Sequence, residues 1–277
     1  MLVAIQTNEN KYSRFTKGYM ATLFEFELAP VEKITPWGTP DNPSLSWFAL
    51  TDGWFRMPVG QQVLFQYTDE ILMHWGVNER DANYQIAAFA RDILGAVAAG
   101  TASLPEKTEY LASSWDVLTM LRLNDSTEIN EDLSYAAWRW LEERSPWTSY
   151  LVACPNFQFI RIGDQLYIHW DNRNELIDGI SVWTAQQGVH VLPVSEFIEQ
   201  CRSFMEHLLN AMSERIAAIE TGGIVPQAPV SSASLWEQHA TWQEEFASYF
   251  QEYEPDIAWK ETEQAIHLIA QKKGIPF

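Results

Sequence analysis

The sequence predicts an α+β fold, in which antiparallel strand meanders in one or two sheets pack with several helices and a C-terminal helical hairpin. Three observations support this class. Two clusters of short segments alternate apolar and polar residues with the period of a half-buried strand. Longer segments place apolar residues three or four positions apart, as an amphipathic helix does. Hydrophobic residues make up 47% of the 277 residues, enough for one large domain or two packed lobes.

The first strand cluster begins with residues 21–28, where bulky apolar residues alternate with acidic ones. Prolines and glycines then mark a long turn over 30–43. An Asp-Gly pair between apolar runs is typical of a hairpin turn with positive φ, so Asp52 and Gly53 are expected to join two strands. The cluster is therefore predicted to be a meander with strands at 21–28, 45–50, 54–57 and 63–67.

The spacing of apolar residues changes from two to three or four after Asp81, which predicts a block of helices closed by Pro146. Alternation returns in a second strand cluster, in which Gly163 and Asp164 form a turn and residues 171–179 are rich in turn formers. The expected helices of the block are 84–100, 106–121 and 131–144. The expected strands of the second cluster are 157–162, 166–170, 180–183 and 189–192.

A long helix over 195–220 is predicted next, because Pro193 suits a helix start and one apolar stripe runs through the segment. The Pro- and Ser-rich residues 224–234 resemble a linker. Two further helices, 236–253 and 256–272, separated at Pro255, are expected to form a helical hairpin docked on the body or on a second copy. We therefore divide the chain into a body (1–221), a linker (222–234) and a C-terminal hairpin (235–277).

The charge of the chain restricts its partners. Eighteen Lys and Arg against 37 Asp and Glu give a formal net charge of −19. Such a charge repels phosphate backbones and anionic lipid surfaces, so we expect neither nucleic-acid nor membrane binding. It favours encounter with a basic protein, although solvation alone also explains it. Residues 1–20 lack the apolar core of a signal peptide, so a cytoplasmic location is expected.

Familiar catalytic and cofactor motifs do not occur in the sequence. It contains no glycine-rich phosphate loop, no nucleophile elbow and no paired-histidine zinc helix. The six histidines are scattered, and Cys154 and Cys201 have no metal-ligand spacing to His or Cys, so they are interpreted as buried apolar residues. We predict no metal and no cofactor, and binding rather than catalysis.

The densest group of polar and aromatic residues comes at the end of a predicted strand and comprises His169, Trp170, Asp171, Asn172 and Arg173. Loop residues of this kind commonly bind ligands, and the carboxylate could act as a base if its pKa were raised. The alternative is structural and is favoured. Asp and Asn then cap the backbone of a turn, and the Arg173 guanidinium pairs with Asp171 or with Asp178.

A second group surrounds the first predicted hairpin and contains three tryptophans and a carboxylate. Most of the 13 tryptophans must pack in the core. If several of this group were exposed together, they would form a binding hot spot. The candidate residues are Trp37, Trp47, Asp52 and Trp54.

Two sets of motifs resemble a bacterial family catalogued only as a domain of unknown function. The first set is Phe24–Pro30, Pro36–Gly38 and Leu45–Trp54, and the second is Trp170–Arg173 with Val182–Ala185 before a long helix. The resemblance covers roughly residues 20–220 and implies no catalytic assignment. The segment after Gly223 falls outside the pattern.

Two functional hypotheses follow. The first is a protein-binding module, most concretely a cytoplasmic immunity protein that neutralises a bacterial toxin; a basic nuclease toxin would complement its charge. The second is an enzyme or small-molecule receptor whose polar and aromatic pocket lies near Asp52 and Asp171. A pocket would have to be concave, whereas a convex turn with Asp171 and Arg173 engaged with each other would contradict the second hypothesis.

Overall fold

The fold is α+β, with small antiparallel sheets and several helices. The computed structural model describes residues 22–114, 117–119, 131–251 and 256–275. Its strands are β1 (Glu25–Leu28), β2 (Trp37–Thr39), β3 (Asn42–Ser44), β4 (Asp52–Val59), β5 (Gln62–Leu64), β6 (Ala82–Gln85), β7 (Phe157–Ile162), β8 (Gln165–Asp171), β9 (Leu176–Ile177), β10 (Ile180–Ser181) and β11 (Gln187–Pro193). Its α-helices are α1 (Asp69–Trp75), α2 (Ile86–Thr101), α3 (Glu106–Ser113), α4 (Glu131–Glu142), α5 (Val194–Glu220), α6 (Ser232–Ser248) and α7 (Trp259–Lys273).

The first sheet is organised around β4, which pairs antiparallel with β1, β5 and β6. The predicted Asp52-Gly53 hairpin is wrong. Residues 49–51 form a 3-10 helix instead of a strand, and Asp52 and Gly53 begin β4. Gly53 lies between Leu28 of β1 and Tyr84 of β6. A Cβ atom there would lie 2.2 Å from the Glu27 carbonyl oxygen, so the glycine allows close strand approach rather than a turn.

The second sheet has the order β11-β8-β7 and is antiparallel throughout. The predicted strands 157–162, 166–170 and 189–192 and the turn at Gly163, which has φ +57°, are confirmed. The predicted strand 180–183 is shortened to β10, which lies outside this sheet. The two main sheets are separate, and an isolated bridge pairs Tyr67, which follows β5, with Trp183, which follows β10. The helix predicted from residue 84 begins at Ile86, because the preceding residues 82–85 pair with β4 as β6.

Two short hairpins lie outside the main sheets. β2 pairs with β3 inside the predicted long turn. β9 pairs with β10 across Asp178 and Gly179, whose φ angles are +52° and +80°. Two consecutive positive φ angles are the requirement of a tight type I′ hairpin. An Asp-Gly hairpin therefore does occur in this chain, at residues 178 and 179.

The main core packs α2 and α5 against both sheets. Helix α2 is buried over most of its length, and α5 buries the predicted apolar stripe from Phe197 through Cys201 and Leu208 to Ile216. Phe89 of α2 stacks on Phe55 of β4 with ring centroids 4.1 Å apart. Such aromatic pairs add stability beyond the apolar area that they bury.

The C-terminal helices form where they were predicted, but each has an earlier helix as its main partner. Helix α6 pairs with α5, and α7 packs against α4. Pro255, the predicted break, lies outside the described residues. The proposed division at residues 222–234 remains a prediction.

A second, smaller core lies beneath α4 and α7. Trp140 and Leu141 of α4 pack there with Ile266 and Ile269 of α7, together with Ile160 of β7. This cluster attaches the two helices to the second sheet. None of the described helices is long and apolar enough to cross a bilayer.

Candidate binding site

The predicted Asp171–Arg173 pair forms at the surface. Arg173 donates from Nε and Nη2 to the two Asp171 carboxylate oxygens, at 2.8 and 2.7 Å. These bonds raise the pKa of Arg173. Asp178 pairs with His74 of α1, at 3.0 Å between Nε2 and Oδ2, rather than with Arg173. The two charged groups thus engage each other, as the structural interpretation of this turn expected.

Asn172 is fully buried and holds two other segments in place. Its Oδ1 accepts a hydrogen bond from the Asn156 backbone N–H at 2.7 Å, and its Nδ2 donates to the Ala185 carbonyl at 2.8 Å. The Asp171 N–H donates to the Asn156 carbonyl at 3.0 Å. The turn is therefore a connector that fixes the residues before β7.

His169 and Trp170 are buried in β8. Burial lowers the pKa of His169 to about 4, so the imidazole is neutral at physiological pH. The Trp170 ring packs directly on Gly188 of β11, where a Cβ atom would lie 2.3 Å from Cζ2. Neither side chain is presented at the surface for a large ligand.

The tryptophans around Asp52 do not form one exposed group. Trp47 is buried, donates from Nε1 to His239 Nδ1 at 3.1 Å, and stacks on Trp242 with centroids 5.0 Å apart. Trp54 is half-buried on β4, and Trp37 is 48% exposed on β2. Burial raises the pKa of Asp52, an effect that the Gly53 N–H and the Arg215 guanidinium partly offset.

A cleft of about 670 Å³ lies between α4 and the loop that leads to β7. This volume is typical of ligand sites in proteins. Helix α4 contributes Ser134, Trp138, Leu141 and Glu142. The loop contributes Ser145, Pro146, Trp147, Cys154, Pro155, Asn156 and Phe157. The lining is mainly aromatic, aliphatic and proline, and Glu142 is its single charged side chain among the described residues.

Trp147 is the most unusual residue of this cleft, because 75% of its side chain is exposed. Large aromatic side chains are normally buried, and an exposed tryptophan beside a cleft is a common anchor for partners. The loop around it is held in place. Thr148 is buried, and its hydroxyl lies 3.3 Å from Cys154 Sγ. Trp147 therefore projects from a fixed backbone.

The same loop is anchored to β6 and α2 by Tyr150. Its ring stacks on Tyr84 with centroids 4.3 Å apart, and its hydroxyl lies near the Asp92 carboxylate. Burial raises the pKa of Asp92 to about 7, although Tyr150 and Arg91 favour the ionised form. Burial and the Asp92 charge raise the pKa of Tyr150.

The turn at Asp171–Arg173 contacts a residue of the cleft wall. Asn156, which Asn172 holds, lies in the cleft wall. Asp52 and Asp171 do not line this cleft. Sequence reasoning missed Trp138 and Trp147. Two signals could have indicated them: the Trp-x-Trp pair at the end of a predicted helix, and a Pro-Trp dipeptide directly after it.

The site has no sign of a metal centre, since the described residues contain no group of three or more His, Cys, Asp and Glu side chains that could hold an ion. A family model described as "Family of unknown function (DUF5984)" matches residues 23–265. The match extends beyond residue 220 and includes α6 and the first part of α7, which corrects the expectation that the segment after Gly223 lies outside the family. No curated protein and no solved structure matches the chain.

Proposed function

We propose that this chain, which belongs to the DUF5984 family of unknown function, is an acidic module that binds a basic partner protein through the cleft beside Trp147. The observation that carries the proposal is Trp147, held 75% exposed on a fixed loop. Tryptophan anchors in such positions supply a large share of interface energy.

The charge of the chain supports the same proposal. A net charge of −19 accelerates encounter with a basic surface and makes association sensitive to salt. Glu142 places one of these charges in the cleft itself. The most concrete version is an immunity protein that covers the active surface of a basic toxin, such as a nuclease.

The test is affinity capture from the native cell with the full chain, at low and then moderate salt. We expect one stoichiometric basic protein, whose recovery falls as salt rises. Trp147→Ala should lose this protein, whereas Trp37→Ala should retain it. The second variant tests the alternative surface predicted from the sequence, so loss with Trp37→Ala alone would move the site to the β2-β3 hairpin.

The immunity role needs a further experiment. The captured protein is expressed in a sensitive host with the full chain or with Trp147→Ala. Growth restored by the full chain but not by the variant supports neutralisation. A captured protein that does not inhibit growth contradicts the immunity role and leaves partner binding in place. Failure to capture any basic protein contradicts both.

A second candidate function is small-molecule binding, which the size and apolar lining of the cleft favour. The sequence motifs predicted such a pocket near Asp52 and Asp171. Neither residue lines the cleft, and Asp171 adjoins it through a backbone hydrogen bond to Asn156. A thermal-shift screen of metabolites against the full chain and Trp147→Ala tests this function. A ligand that stabilises both proteins equally does not bind in the cleft.

A further inference from the structure

Elsewhere in the chain, an arginine side chain is bound by a tryptophan and a glutamate of one helix. Trp242 and Glu245 lie three positions apart on α6, and Arg91 of α2 reaches both. Its guanidinium lies 4.5 Å from the Trp242 ring centroid. Its Nε and Nη2 donate to the two Glu245 carboxylate oxygens, at 2.7 and 3.2 Å. One helix face thus supplies both a π surface and a carboxylate to one guanidinium.

Helix α4 presents the same pair of groups to the cleft. Trp138 and Glu142 are four positions apart, a spacing that places both on one face of a helix, and both line the cleft. Among the residues that the structure describes, the lining contains no Arg or Lys. Glu142 also forms no ion pair with any side chain of the described segments. The cleft therefore has the two groups of the α6 site without an internal cation.

The other residues that line the cleft favour a planar cation such as a guanidinium. Trp147 and two prolines, Pro146 and Pro155, add planar or flat apolar surfaces. A guanidinium stacks on such surfaces and is weakly hydrated, whereas the ammonium of lysine is compact and strongly hydrated. Contacts of arginine with aromatic rings recur in this chain. Arg144, two residues after Glu142, lies over the rings of Trp140 and Trp259, at 5.8 and 5.9 Å.

We infer that the cleft is a binding site for an arginine side chain, which stacks on Trp138 and Trp147 and pairs with Glu142. The inference rests on the proposed function, because the arginine is supplied by the basic partner protein. It names the residue type that the partner inserts. The remaining volume of the cleft accommodates the neighbouring residues of the inserted loop.

The direct test uses N-acetyl-arginine amide as the probe and the full-length chain. Indole N–H resonances are followed by NMR during the titration. We expect saturable binding in the millimolar range, with shifts at Trp138 and Trp147. N-acetyl-citrulline amide, which has the same shape without the charge, should bind about three- to thirtyfold more weakly, because it loses both the cation–π contact and the charge pairing with Glu142. N-acetyl-lysine amide should also bind more weakly than the arginine probe.

Substitutions then assign the site. Glu142→Gln should weaken binding of the arginine probe about two- to fivefold, because its carboxylate is exposed, and Trp147→Ala should weaken it about two- to fivefold. The matched control is Glu237→Gln, which removes an exposed carboxylate of α6 outside the cleft and should change nothing. Glu142 and Trp147 are exposed, so the variants should keep the urea midpoint of the wild type.

Several outcomes would overturn the inference. They are equal binding of the citrulline or lysine probe, unchanged binding by Glu142→Gln, or self-association through Trp147 seen by sedimentation without any probe. The probe titration and the capture experiment can fail independently, so the arginine site and the proposed function are tested separately. Capture of a basic protein that depends on Trp147, without arginine selectivity, refutes the arginine site alone. Selective arginine binding without a captured partner refutes the proposed function.

Discussion

Replacing Asn172 with alanine removes both side-chain hydrogen bonds that tie the turn after β8 to its neighbours. The Ala185 carbonyl is then left buried without its donor, at a cost of about 1–3 kcal/mol, and the half-buried Asn156 N–H loses its acceptor, at a cost of about 1 kcal/mol. We expect Asn172→Ala to lower the free energy of unfolding by about 3 kcal/mol. With an m-value of about 3 kcal/mol/M in urea, the midpoint should fall by about 1 M.

The measurement is urea unfolding followed by tryptophan fluorescence, with Arg173→Ala as the control. Arg173 is exposed, and its ion pair with Asp171 lies at the surface, where such pairs contribute little. Arg173→Ala should therefore unfold at the wild-type midpoint. A loss of less than 1 kcal/mol for Asn172→Ala would show that water replaces both bonds, and would refute the assignment of the turn as a connector.

Asn172→Asp separates hydrogen bonding from side-chain shape. The ionised carboxylate still accepts from Asn156 but faces the Ala185 carbonyl without a proton to donate. Burial raises the pKa of such a carboxyl group. The free energy of unfolding of Asn172→Asp should therefore be closest to that of the wild type at acid pH, where the carboxyl group is protonated, and should fall as pH rises. A difference from the wild type that is the same at pH 4 and pH 7 would contradict this reasoning.

Three further predictions concern the interior. The pKa of Asp92 is raised from 3.8 to about 7, so the wild type loses stability as pH rises between these values. Asp92→Asn should be more stable than the wild type by about 2 kcal/mol at pH 8 and equally stable below pH 4. This magnitude is half of the free energy that corresponds to the full pKa shift, because the carboxyl group is partly exposed. The pKa of His169 is lowered from 6.5 to about 4, so the wild type should lose stability relative to His169→Gln as pH falls across that range; parallel urea curves at each pH check both, and pH-independent differences would refute them. Gly188→Ala places a methyl group 2.3 Å from the Trp170 ring and should cost about 1–3 kcal/mol in the same assay, whereas an unchanged midpoint would mean that the sheet adjusts freely.

The sequence predicts elements well where local periodicity and burial agree. The stripe of α5 and the strands of the second sheet are examples, because one face of each is fully buried. It fails where tertiary contacts decide. Gly53 and Gly179 each follow an aspartate, but only Gly179 lies in a turn, since Gly53 is enclosed by β1 and β6. An Asp-Gly dipeptide does not indicate whether its residues will pair with strands that are distant in the sequence.

The candidate site illustrates the same limit. The chain turns where β8 ends, as the structural interpretation of this motif expected, and Asn172 of this turn holds Asn156 of the cleft wall. The exposure of Trp147 depends on how α4 packs on the second sheet, which the local sequence does not encode. Thirteen tryptophans give no local signal that separates an exposed anchor from a core residue such as Trp140.

The small core under α4 couples two segments that are distant in sequence. The apolar side chains that α4 and α7 contribute to it are more than a hundred residues apart in the sequence. Local opening of α7 would remove the packing beneath the helix that carries Trp138 and Glu142. Amide hydrogen exchange in the two helices should therefore report one cooperative unit. A ligand in the cleft that stabilises α4 would then slow exchange in α7, although it contacts no residue there.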